Sequence, residues 1–156
     1  MVVTCTGSVC NLNGSRVASI DDAVPVVDIC TTKCDSAAFG VFVEFEPLGK
    51  AIFKLGNFVF NRSVTHKRSL AIVNSVGEGG MWVCDFAGVV KVGDLLTTSD
   101  VFGHAEKQSD DIVRSYTVAK VTSNPQKWVN VPQEYLGVQK SNENIKRSFV
   151  GVVYKF

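Results

Sequence analysis

Short apolar runs, each cut off by a polar or glycine-containing turn, recur along this chain. The runs AVPVVDICTT, FGVFVEFE, NFVFNRSV, SLAIVNSV, MWVCDF, GVVKVGDLLTTS, YTVAKVTS and RSFVGVVYKF are rich in β-branched and aromatic residues. Such side chains fit the half-buried surface of a pleated sheet. In FGVFVEFE, alternation puts Val41, Val43 and Phe45 on one face and Phe42, Glu44 and Glu46 on the other. A period of two belongs to a strand. No stretch carries a long helical stripe. In QSDDIVRSYTVAK, Ser109 and Asp110 offer caps for one helical turn, before Tyr116, Thr117 and Val118 draw the segment towards strand. The segment NPQKWVNVPQEYLG holds Pro125 and Pro132 and is expected to run over a surface. The pattern predicts an all-β protein: a single compact domain, 1–156, of short antiparallel strands in a barrel or sandwich with meander connections.

The stretch SVGEGGMWVCDFAGVVKVGDLLTTSD concentrates glycines around Glu78 and Trp82. A phosphate-cradling loop places its glycines between a strand and a helix N-terminus. Here MWVCDF, a strand former, follows GEGG, and the lysine-then-hydroxyl ending is missing. Catalysis needs a nucleophile, a base and an oxyanion donor. Ser75, Cys84, Ser99 and His104 lie in the region, yet no nucleophile-elbow signature links them. The structural reading fits better. Gly77, Gly79 and Gly80 supply positive φ for a reversal, MWVC is a strand, VVKV and LLTTS follow as further strands, and Ala105-Glu106-Lys107 begins the next.

Composition narrows the choice of function. With 156 residues, 46% apolar and 20% charged, the chain can bury a core. Its net charge of +1 provides no field for nucleic acid or an acidic membrane, so neither is expected as a partner. No apolar run approaches a membrane span, and MVVTCTGSVC lacks the basic start of a signal peptide. A reducing compartment is expected. The cysteines are Cys5, Cys10, Cys30, Cys34 and Cys84. Their odd number argues against a closed disulfide framework. The Cys30–Cys34 spacing has no second pair to complete a zinc site. Free, mostly buried thiols, no metal and no cofactor are expected.

Four pieces, VGEGGMWVC, GDLLTTS, GHAEKQSDD and SYTVAKVT, resemble in order and spacing a block found in a phage family. This is the auto-processing intramolecular-chaperone peptidase domain at the C-terminus of fibre and neck-appendage proteins, with similar blocks in large DNA viruses, especially those of algae. DAVPVVDICTTKCDSAAFGVFVEFE and RSFVGVVYKF extend the likeness to about Ser19–Phe156. The resemblance implies a β-rich fold, trimeric association and a place in virion appendages. Phage members trimerise a fibre and then cut themselves off at an aspartate-tyrosine-alanine-glutamate run. This sequence has no such run, and Asp21 and Asp22 are the nearest acids. The expectation is therefore a non-enzymatic virion protein, a minor capsid, spike or appendage component. Its partners would be itself, as homotrimer or lattice contact, and other viral coat proteins. Candidate interface residues are Phe42, Phe58, Trp128 and Tyr135; the alternative role for Trp128 is to cover its own core. No catalytic residue is assigned. The alternative function is a self-processing chaperone peptidase using Asp21, Asp22 and Glu44, although adjacent aspartates on a strand point to opposite faces.

Overall fold

The computed structural model describes residues 1–11, 23–45, 51–55, 58–62, 70–137 and 144–154, and for residues 10, 11, 23, 51–55 and 58–62 the backbone alone. Its strands are β1 (Val2–Asn11), β2 (Ala23–Ile29), β3 (Ala38–Phe45), β4 (Ala51–Leu55), β5 (Phe58–Arg62), β6 (Ala71–Asn74), β7 (Gly77–Cys84), β8 (Leu95–Thr98), β9 (Ala105–Lys107), β10 (Thr117–Val121), β11 (Val129–Asn130) and β12 (Lys146–Tyr154). A single 3-10 turn, Gln133–Tyr135, is the one helical element named among the described residues. The fold is all-β, as the period-two runs predict.

Five strands close on themselves. β10 pairs with β8, β8 with β9, β9 with β7, β7 with β12, and β12 returns to β10. A closed ring of strands has no free edge. All these pairings are antiparallel except β7–β9, which runs parallel at Val83 and Ala105. The ring closes because β12 is long enough to serve two neighbours. One edge matches β7 from Arg147 to Tyr154; the other takes β11 near its start and β10 near its end. Ser148, Val150, Val152 and Tyr154 alternate inwards and meet Met81, Val83, Leu96 and Ala119 in the core. Each large apolar side chain buried there contributes roughly 1.5–3 kcal/mol.

A second sheet has the order β2-β1-β3-β6, and β4 pairs with β5 in a hairpin. The four-stranded sheet is stitched to the barrel at one turn. Val2 N–H donates to the Gly103 carbonyl (2.8 Å), Gly103 N–H to Cys30 (2.7 Å) and Cys30 N–H to Val2 (3.0 Å). Val2, Cys30, Ala38 and Val41 join the barrel's own apolar cluster. Gly103 sits at φ 68°, with Ile29 and Met1 side chains about 3.0–3.1 Å from where a Cβ would stand.

Several local expectations are corrected. VVKV is not a strand: Val90 is buried while Val89 and Val92 point to solvent, and the β8 strand starts only at Leu95. QSDDIV forms no helical turn, because Gln108 holds it open. Its amide donates to the Asp110 carbonyl, the Asp110 carboxylate and the Ile112 carbonyl, while its Oε1 accepts from Thr117. In β3 the simple alternation fails. Phe42 faces Val73 and Glu44 faces Ile72, so Val43 is an extra residue. The bulge resets the faces and brings the Phe42 and Phe45 rings together, 4.9 Å between centroids.

The glycines of GEGG do not act alike. Only Gly77 has positive φ, 89°. Gly79 and Gly80 lie within β7, opposite Val152 and Gly151, under aromatic rings. A Cβ on Gly79 would stand 2.7 Å from the ring of Tyr154, which is buried and whose hydroxyl donates to the Gly80 carbonyl at 2.6 Å. A Cβ on Gly80 would meet the tip of Phe149 instead, and that ring is exposed. Gly79→Ala is therefore expected to cost about 1–3 kcal/mol by overpacking, and Gly80→Ala distinctly less, because Phe149 can swing away. Urea denaturation of the two variants tests the order; equal losses would contradict this account of the glycines.

Candidate functional site

The densest group of chemically capable side chains lies where the loop after β2 meets the β8–β9 hairpin. Ser99, His104 and Glu106 are all wholly buried, as is Cys84. Ser99 donates to Glu106 Oε2 (2.7 Å) and accepts from the Cys84 thiol (3.4 Å) and the Val101 N–H (3.1 Å). The other carboxylate oxygen, Glu106 Oε1, holds the Lys33 ammonium at 2.5 Å. Lys33 reaches in from a loop that is itself pinned to the hairpin. Its N–H donates to Asp100 Oδ1 (3.0 Å), the next N–H to the Thr98 carbonyl (3.4 Å), and Asp35 N–H to Thr98 Oγ1 (2.8 Å). Cys34 takes a left-handed φ of 55° to make this turn.

The arrangement is chemically quiet. A serine–lysine dyad needs a neutral amine, but the hydrogen bond that Lys33 donates to Glu106 raises its pKa above the ordinary value. Burial pushes the Cys84 thiol up to about 11, so it is not a thiolate nucleophile at neutral pH. Ser99 has no solvent-exposed surface through which a substrate could reach it. Cys84, Ser99 and Glu106 form a hydrogen-bonded chain that the Lys33 charge ends, and together they fasten the loop to the barrel. Burial of a charge is tolerated when it is paired and hydrogen-bonded.

His104 is a separate matter. Its Nδ1 lies 2.8 Å from the Phe102 carbonyl, so that nitrogen carries the proton, and the buried Nε2 has no partner. Its ring tilts against Tyr135, 5.6 Å between centroids. Burial lowers its pKa to about 4, with the Arg147 guanidinium and the N-terminal ammonium adding to the effect.

The four candidate interface residues do not converge. Phe42 is half-buried on β3 beside Phe45. Trp128 packs against the barrel's core cluster, so it covers its own core. Tyr135 packs against a second cluster with Val101, Val131 and Leu136, and the Arg147 guanidinium lies 5.8 Å from its centroid. The Phe58 side chain lies outside the described residues, as do Asp21 and Asp22. Glu44 is exposed on the bulged end of β3.

Three features were not foreseen in the sequence. In the sequence Glu106 stands out only as part of a strand, and Lys33 carries no signal. A lone acid between Ala105 and Lys107 in a short strand is the single available signal. The third is a surface group: Arg147 lies 4.2 Å over the Trp82 ring, which meets Phe149 edge-on at 5.4 Å. Of the four thiols with described side chains, Cys30 and Cys84 are buried, Cys5 is half-buried and Cys34 is exposed; the Cys10 side chain lies outside the described residues. Among the described residues no group of three or more His, Cys, Asp or Glu is arranged to hold a metal ion. An open cleft of about 390 Å³ lies between Gly93–Leu95 and Lys107–Asp111. Its charges are largely spent on each other or on neighbours, with Lys107 on Asp94 (3.0 Å) and Asp110 on Arg114 (2.7 Å). No protein family, curated protein or solved structure matches this chain.

Proposed function

We propose that this protein is a non-enzymatic structural component of a virus particle, a minor capsid, spike or appendage protein. It acts by associating with itself and with neighbouring coat proteins. One observation carries the self-association. On and beside the β3–β6 pair, Val43 (49% exposed), Phe45 (63%), Ile72 (41%) and Val76 (73%) present apolar side chains to solvent. Phe45 stands opposite Ala71 and Ile72 opposite Glu44, so these side chains leave apolar surface open to contact on both faces of one strand pair, and exposed apolar surface concentrated at one place marks an interaction site. The quiet chemistry of the Ser99–Glu106–Lys33 group supports a structural role over a catalytic one. The viral setting rests on the resemblance of the four motifs. That resemblance implies three copies, and a lattice contact between copies serves the same reading.

The alternative, a self-processing chaperone peptidase, makes a different prediction for the intact chain. Mass spectrometry of the purified protein over days is expected to give one unchanging mass. Particles purified from infected cells are expected to contain the chain at a fixed ratio to the main coat protein. A second, shorter product accumulating with time would favour self-processing. Absence from the particles would overturn the structural reading.

A further inference from the structure

The sheet β2-β1-β3-β6 ends in two edges, and they are built differently. An open edge offers unpaired N–H and C=O groups to another strand, and proteins guard such edges with proline, charge or bulges. The β2 edge carries the first two guards, with Pro25 and Asp28 exposed on it. The β6 edge has no proline and no charge. Ala71, Ile72 and Asn74 are exposed, and no residue from Leu70 to Gly77 is charged or proline. Among the described residues β6 pairs with β3 alone.

We propose that β6 is the strand through which two copies of this chain join, edge to edge, as an antiparallel pair about a two-fold axis. The inference rests on the self-association reading and assigns its surface and symmetry. A second copy is the occupant because the segment is complementary to itself. Pairing Ala71–Asn74 with its own copy sets Ala71 against Asn74 and Ile72 against Val73. Like charges facing across a ladder destabilise it, and here no charges face each other. The β-branched pairs at the centre are favourable. Each contact in such an isologous joint occurs twice, so the exposed Phe45 and Val76 on either side contribute from both copies. A joint of this kind yields dimers on its own and links trimers when three-fold contacts are also present.

The test uses charge at the two exposed ends of the strand. In the double variant Ala71→Lys/Asn74→Lys, lysines oppose each other twice across the joint. It is expected to self-associate about tenfold more weakly than the native chain, read by native mass spectrometry over a concentration series. Ala71→Glu/Asn74→Glu is expected to behave likewise. An equimolar mixture of the two variants is expected to recover pairs, each holding one copy of either kind. That recovery requires both variants to be folded. If neither folds, hydrogen exchange of the native chain decides: the β6 amides are expected to be protected in the assembled protein and to lose protection on dilution. Variants that associate like the native chain, or β6 amides equally unprotected in both states, would overturn the joint while self-association stands. A native chain that stays monomeric throughout overturns the self-association reading itself.

Discussion

Replacing Lys33 with methionine is expected to destabilise the protein by about 2–3 kcal/mol at neutral pH. Removing one partner of a buried ion pair costs about 3–5 kcal/mol, because the other charge is stranded. Glu106 is wholly buried, but the Lys33 side chain is 45% exposed, so solvent screening reduces the figure. The carboxylate keeps its bond from Ser99 yet loses its counter-charge. Adding Glu106→Gln to Lys33→Met is expected to restore part of the loss, since an amide oxygen still accepts from Ser99 and no charge remains. Urea denaturation of the three variants beside the native chain provides the measurement. A double variant less stable than Lys33→Met alone would show that the stranded charge is not the cause.

Acid is expected to remove about 3 kcal/mol through His104 alone. The folded-state pKa of about 4 lies below the ordinary 6.5. As pH falls, the unfolded chain therefore binds the proton first. The stabilisation is fully present above about pH 6.5, is lost progressively down to about pH 4, and changes no further below that. The cause is geometric. A proton on Nε2 would put a cation in a buried site that already faces Arg147 and the N-terminal ammonium. It would do so next to Gly103, whose backbone ties the four-stranded sheet to the barrel. The stability difference between the native chain and His104→Gln is expected to change by about 3 kcal/mol between pH 7 and 4. The carboxylates titrate in both proteins and cancel. Parallel pH profiles would contradict the assignment.

How much of this was legible depended on whether one strand or several decide a position. Strands such as β7 and β12 are readable because their alternation carries over into the fold. Met81, Val83, Val150 and Val152 all turn inwards as a period of two requires. β1 is hidden in the sequence, because VVTCTGSVCN mixes polar residues with a left-handed Gly7 and a register shift. The β3 faces were misread because one bulge residue, Val43, reverses everything after it. The parallel β7–β9 pairing and the closure of the ring are relations between distant strands, and no local pattern encodes them. The same holds for the polar group. Ser99 and Glu106 are seven residues apart, but Lys33 comes from the loop after β2, with β3 to β8 lying between it and Ser99 in the sequence. A lysine in a CTTKCD turn looks like an ordinary solvated charge. Gly79 looked like a turn residue because the ring above it, Tyr154, comes from the far end of the chain.

Sedimentation equilibrium of the native chain at tens of micromolar, repeated on serial dilution, tests self-association most directly. The predicted result is a mass that is a whole multiple of the chain's own and falls back towards it on dilution. A single ideal species of monomer mass at every concentration, with no contact between copies in an assembled particle, would contradict it.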